Sequence, residues 1–271
     1  MPENDDASTA HPRLGLVLGS GAAWGAAHVG VLQVIEEAGI QISTIVGASS
    51  GAIIGVGYAA GLSASQIAEW LVQVRWSSFA DWRPSRRWTL FDSRPIERAL
   101  ARNERVRDFE DLDRTFGVLA FDIRRRQPVV LRSGPLATAL RATVAIPGVL
   151  PPVRVDGGVL IDGSLGDRDA VNAARELGAD RVIAVRLENP PAPDAPVTAR
   201  MLDVLSGARR ARHRDALVGV PEPDVLIRPM TAGLSRWSSR DVPQLVAAGR
   251  KAATEALPRI RQLSASSAER G

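Results

Sequence analysis

Residues Gly47-Ala48-Ser49-Ser50-Gly51 set a serine between two glycines, directly after an apolar run at 42–46 and directly before another at 52–60. A serine at such a junction can sit on a tight strand-to-helix turn, because small neighbours let the backbone bend sharply. Its hydroxyl is then held at the carboxyl end of a strand, where open α/β sheets place their ligands. Ser49 is therefore a candidate nucleophile for acyl transfer, and Gly47, Ser50 and Gly51 form its elbow. An ordinary turn of small residues is the plainer alternative.

A hydroxyl that attacks an ester needs a base, a site for the developing oxyanion and correct placement. The chain has three histidines, His11, His28 and His213. His213 alone follows Ser49, and it lies in an arginine-rich run that disfavours a protonated imidazolium. His28 sits among apolar residues, as a satisfied buried histidine would, and His11 lies in a polar tail. A Ser-His-Asp triad is poorly supported. A carboxylate is the other option. Asp162 follows the apolar residues Val159-Leu160-Ile161 and precedes Gly163-Ser164, at an accessible strand end. A carboxyl with an ordinary pKa near ~3.9 is a weak base, and burial raises that value. The plainer reading of Asp162 is a turn residue or helix cap. Asp156 competes for the role, but Asp156-Gly157-Gly158 between alternating apolar residues reads as a hairpin tip.

The oxyanion site is expected in the run Gly19-Ser20-Gly21-Ala22-Ala23-Trp24-Gly25, where a strand gives way to a helix. Backbone N–H groups at a helix N-terminus make an anion site. No Lys-Ser or Lys-Thr follows, so this is not a P-loop. Trp24 and the lack of an acid after the second strand argue against a dinucleotide site.

These residues must be positioned by a sheet. Apolar strands are expected at 13–18, 42–46, 116–123, 129–131, 181–187 and 225–227, with a hairpin pairing 153–155 and 159–161. Helices are expected at 25–38, 50–60, 136–145, 168–177, 199–212 and 242–257. Strand, loop, helix, strand, elbow and helix within fifty residues predict an α/β fold, a three-layer α/β/α arrangement with a mostly parallel central sheet. One domain is expected over residues 13–262, between disordered tails at 1–12 and 263–271. Residues 63–115 read as a cap or lid. Trp70, Trp76, Trp82 and Trp88 recur there every six residues, with Arg75, Arg83, Arg86 and Arg87 among them. Six is neither a helical nor a strand period. Trp beside Arg also suits a membrane interface, so peripheral membrane contact is the alternative to a cap.

Composition narrows the classes. Cysteine is absent, which excludes a disulfide scaffold and thiol catalysis. No His, Asp and Glu cluster has metal-ligand spacing, and no metal or other cofactor is expected. The net charge is +4, and Lys251 is the only lysine. Acidic residues are interspersed throughout, which argues against a nucleic-acid face. The N-terminus has no apolar core of a secretory signal, and the stretch 45–62 is broken by glycines, so a cytoplasmic protein is expected.

Ordered along the chain, several motifs resemble the patatin-like phospholipase family, in particular short bacterial members related to the catalytic domain of neuropathy target esterase. They are Gly15-Leu16-Val17-Leu18, Gly25-Ala26-Ala27-His28-Val29-Gly30-Val31-Leu32 and Gly47-Ala48-Ser49-Ser50-Gly51. Further on come Ala145-Ile146-Pro147-Gly148-Val149-Leu150-Pro151-Pro152-Val153, Leu160-Ile161-Asp162-Gly163 and the run 177–185. The resemblance runs from about residue 13 to about residue 260. It implies a three-layer α/β/α fold and hydrolysis of lipid acyl esters without a cofactor. Ser49 and Asp162 map to a Ser-Asp dyad, and the loop of Ser20, Gly21 and Ala22 to the oxyanion loop. The substrate implied is a lipid or fatty-acyl ester.

The chain departs from the family pattern in the loop. Where Gly-Gly-Gly-x-Arg-Gly is usual, it reads Ser20-Gly21-Ala22-Ala23-Trp24-Gly25. Side chains at Ser20 and Ala22 penalise any positive-φ conformation there. Ser164 replaces the usual Gly or Ala, and Asp167 and Asp169 stand where Asn and Pro are common. A second reading follows: a catalytically impaired patatin-like module that binds lipid or regulates a partner.

Overall fold

The computed structural model describes residues 12–73, 81–82, 91–93, 95–96, 98, 105–166, 169–187, 222–235 and 239–265. The helix expected at 199–212, with His11, His213, Trp76, Trp88 and Asp167, lies outside them. So do residues 1–11 and 266–271 of the two expected tails.

Strands β1 (Leu14–Leu18), β2 (Thr44–Ala48) and β9 (Arg181–Val185) are buried runs rich in Val, Ile and Leu. With β10 (Val225–Ile227) and β5 (Thr115–Asp122) they pair in the order β10-β9-β1-β2-β5, all parallel. Continuous apolar strands are what a sheet covered on both faces requires. Alternate side chains divide between the faces. Leu16, Leu18, Ile45, Val118 and Ile183 pack in one layer with helices α1 (Ala26–Glu37), α2 (Ser50–Ala59), α3 (Ala64–Gln73) and α6 (Val242–Ala265). Val17, Val46, Leu119, Val182 and Ala184 pack against α5 (Ala170–Glu176) on the other side. The fold is the expected α/β arrangement, with helices around a sheet whose central strands are parallel.

Beyond β5 the sheet turns antiparallel. β6 (Gln127–Leu131) and β8 (Gly158–Ile161) both pair with β5, and β7 (Val153–Val155) completes a hairpin with β8. Asp156 and Gly157 form the hairpin tip with φ of 47° and 75°, the left-handed pair that a two-residue turn of this twist demands. Asp156 is thus a turn residue. Helix α4 (Leu136–Thr143) packs Ala142 against Ala120, Val153 and Leu160. Within the segment read as a cap, β3 (Asp81–Trp82) and β4 (Phe91–Asp92) form a separate antiparallel pair. Ile96 is buried in the main core.

Several boundaries differ from the sequence reading. β2 extends through Ala48, so Gly47 and Ala48 are strand residues and the bend falls on Ser49 itself. α6 continues through Pro258 to Ala265, where the sequence reading ends the helix at 257 and begins a tail at 263.

α1 and α6 cross with their backbones touching. A Cβ on Gly30 would run into the Val246 carbonyl oxygen, and one on Gly249 into that of Ala27. Arg250 on α6 closes the crossing with a paired contact to the Glu37 carboxylate at 2.7 and 2.8 Å. That hydrogen bonding holds Glu37 below its ordinary pKa.

Candidate active site

The pairing registers decide where Ser49 and Asp162 go. β6 covers one edge of β5 from Val118 to Asp122. β2 and β8 therefore share the opposite edge. β2 climbs that edge and ends with Ala48 beside Leu119. β8 descends it and ends with Ile161 beside Phe121. The two strands point at each other end to end, and only Ala120 of β5 lies between their last pairs. Ser49 and Asp162 are the next residues of each strand. Both are buried, at 8% and 6% exposure.

Ser49 has φ 51° and ψ −121°, a conformation costing of order 1–3 kcal/mol for a residue with a side chain. Its carbonyl starts α2 by accepting from the N–H groups of Ala52 and Ile53 at 3.0 and 3.2 Å. Gly51 is where the elbow meets β1: a Cβ there would strike the carbonyl oxygens of Leu18 and Gly19. The Ser49 N–H donates to the Thr143 hydroxyl at 2.8 Å, and that hydroxyl donates to the Leu119 carbonyl at 2.6 Å. Asp162 donates its N–H to Ala145 O at 3.1 Å and accepts the Ser164 N–H on Oδ1 at 2.9 Å.

The loop after β1 lies against this elbow. A Cβ on Gly25 would collide with the Ser50 side chain. Residues Ala22–Gly25 form one 3-10 turn whose first bond runs from Trp24 N–H to Gly21 O at 3.1 Å. The N–H groups of Gly21 and Ala22 precede that bond and are not consumed by it. Ala22 has φ 51°. The penalty expected of a side chain in this loop falls there; Ser20 has no positive φ. Trp24, in the place of the usual arginine, is 3% exposed and donates its indole N–H to Leu234 O at 3.0 Å.

His28 is fully buried on α1 with Nε2 at 2.8 Å from Gly19 O. Burial pushes its pKa down to about 4, so the ring is neutral and Nε2, facing a carbonyl, carries the proton. It is an anchor for the loop and not a base for Ser49.

Two contributors went unread in the sequence. Thr143 follows Leu136, Ala139 and Leu140 at helical spacing, and a hydroxyl on that apolar stripe was the signal. Asp122 ends β5, fully buried, bound to Arg125 Nη1 at 2.8 Å and to the N–H of Arg124 at 2.8 Å. Its burial opposes ionisation, but hydrogen bonds from Arg124, Arg125 and Val159 outweigh this and hold it below its ordinary pKa. It ties β5 to the β7–β8 hairpin, where Arg125 Nη2 reaches Asp156 O at 3.5 Å.

Comparison with known proteins agrees with this architecture. The profile of the patatin-like phospholipases matches residues 16–175. An NTE family protein of Mycobacterium tuberculosis is 35% identical over 228 residues, covering 77% of this chain and 58% of the relative. Human patatin-like phospholipase domain-containing protein 6 is 32% identical over 179 residues, covering 64% of this chain and 13% of the relative. The chain thus spans little more than half the length of the mycobacterial protein. The crystal structure of VipD from Legionella pneumophila shares the fold, with a TM-score of 0.58 at 13% identity, over 95% of this chain and 67% of that one. The profile spans more than half of the sequence, and the chain belongs to the patatin-like phospholipase family.

Proposed function

We propose that the chain is a serine acyl-ester hydrolase acting on lysophospholipid or another fatty-acyl ester. The observation that carries this reading is the end-to-end approach of Ser49 and Asp162 along one edge of β5. A relative in Aspergillus fumigatus, 31% identical over 179 residues, bears the name lysophospholipase, which supports the substrate class.

Ser49 Oγ attacks the ester carbonyl carbon as its proton passes to the Asp162 carboxylate. The oxyanion is received by the N–H groups of Gly21 and Ala22, together with that of Ser50 at the start of α2. Collapse breaks the ester C–O bond, and the leaving alcohol takes the proton from Asp162. Water then attacks the acyl-enzyme, giving a proton to Asp162; collapse breaks the acyl C–Oγ bond, Ser49 Oγ takes that proton back from Asp162, and the fatty acid leaves. The lipid substrate accords with peripheral membrane contact. Trp70 on α3, within the segment read as a cap or lid, is 41% exposed, and no helix among the described residues is long and apolar enough to cross a membrane.

A fluorophosphonate probe and p-nitrophenyl esters of several acyl lengths test the reading. Labelling and turnover that vanish in Ser49→Ala support it. Labelling that persists in that variant sinks the nucleophile, and full activity in Asp162→Asn sinks the dyad.

Ala22 at φ 51° favours a second reading, a lipid-binding module with weakened hydrolysis. Ala22→Gly with Ser20→Gly separates the two. A silent protein that gains large activity supports the impaired module; an active protein that changes little supports the enzyme.

A further inference from the structure

At Ser49 the chain leaves the sheet, and the β2–β5 ladder stops at Ala48 and Leu119. The Ser49 N–H and the Leu119 carbonyl both lose the strand partner they would otherwise have. Buried backbone groups in that position cost about 1–3 kcal/mol each when left unanswered. One side chain answers both. Thr143, fully buried at the end of α4, accepts the Ser49 N–H at 2.8 Å and donates to Leu119 O at 2.6 Å. Its hydroxyl is a single rung inserted where the ladder ends.

We infer that Thr143 is a positioning residue for acylation, holding Ser49 in its left-handed corner and setting its reach toward Asp162. This rests on Ser49 being the nucleophile. A strained corner persists only where its surroundings over-determine it, and the Thr143 bond is such a constraint on the corner residue itself. The same hydroxyl also bounds the other half of the site. A Cβ on Gly163, the residue after Asp162, would strike Leu119 O and crowd Thr143 Oγ1. Both proposed dyad residues are therefore placed against one rung. The bond has a second consequence: the Ser49 N–H is occupied, so oxyanion donors must come from the 20–25 loop and from Ser50.

The test compares Thr143→Val, which keeps the shape and removes the hydroxyl, with Thr143→Ser, which keeps the hydroxyl. Thr143→Ala serves if the valine variant does not fold. Three quantities are read: the rate of fluorophosphonate labelling at Ser49, kcat and KM for a p-nitrophenyl ester, and hydrogen exchange of the Ser49 amide. Loss of the hydroxyl is expected to slow labelling and kcat by about 10–100-fold, as small misplacements do, with KM within about threefold of wild type. Thr143→Ser is expected to restore both rates, and the Ser49 amide to be protected in wild type and Thr143→Ser but not in Thr143→Val. Wild-type labelling in a folded Thr143→Val, or a serine variant as slow as the valine one, overturns the inference. A wild-type protein that does not label at Ser49 overturns the hydrolase reading instead. The amide exchange then still decides the Thr143 contact, and exchange unchanged in Thr143→Val refutes it.

Discussion

Ser49 and Asp162 each follow a strand that ends on the same edge of β5, from opposite directions, with Ala120 between the last pairs. Under the proposed dyad, Asp162 serves Ser49 directly, with no histidine between them. Asp162→Asn is expected to lower kcat by about 10²–10⁴-fold, the usual yield of a positioned general base. Its melting temperature should stay near wild type. Steady-state kinetics with p-nitrophenyl esters and a thermal melt of the same sample check both halves.

Ala22 holds a positive φ that glycine adopts freely. Ala22→Gly should raise stability by up to about 1 kcal/mol, the scale of the left-handed penalty. Chemical denaturation of the two proteins measures it. A loss of stability would mean that the Cβ contributes packing that outweighs the strain.

Trp24 donates to Leu234 O from a buried position. Trp24→Phe should cost about 1 kcal/mol through the lost hydrogen bond. Trp24→Arg, although it restores the usual family residue, should cost more, because it buries a guanidinium where the indole now packs. Denaturant midpoints for the two variants give the order; an arginine variant as stable as wild type refutes it.

His28 has a folded pKa pushed down to about 4, against about 6.5 when unfolded. Between those values the unfolded chain binds the extra proton, so stability is complete above pH 6.5 and falls as pH drops toward 4. The full loss from this group is roughly 3 kcal/mol. The described carboxylates with lowered pKa lose their contribution only below their own ordinary values, near pH 4. Stability followed from pH 7 to pH 4.5 should therefore fall in wild type and fall less in His28→Gln. Parallel curves for the two would remove His28 as the cause.

Gly249→Ala puts a methyl group into the Ala27 carbonyl at the α1–α6 crossing. Overpacking of this kind costs about 1–3 kcal/mol, which is a melting-temperature drop of roughly 2–12 °C for a domain of this size. A thermal melt decides it.

Much of this was legible in the sequence because it depended on local pattern. The apolar strands, the Gly47-to-Gly51 elbow and the Asp156-Gly157 hairpin announced themselves by periodicity and turn chemistry. Long-range register was not legible. Nothing local says that β8 descends the edge that β2 climbs, and that fact alone brings Asp162 to Ser49. Thr143 was hidden for the same reason: its partners, Ser49 and Leu119, come from two other elements. The extension of α6 beyond 257 was not legible either: the helix carries Pro258 in its interior, and the burial of Ile260 beyond it lets tertiary packing outweigh local propensity.

The bare backbone contacts of Gly30 with Val246 and of Gly249 with Ala27 bear on the order of synthesis. These residues lie roughly two hundred positions apart, and ribosomes add about 5–20 residues per second, so α1 waits roughly 10–40 s for the helix that covers it. During that interval the glycine face of α1 is uncovered and the Trp24 indole has no Leu234 to hold it. The loop beside Ser49 therefore lacks this anchor until late in synthesis, and a nascent chain stalled before residue 234 carries its serine beside a loop without it.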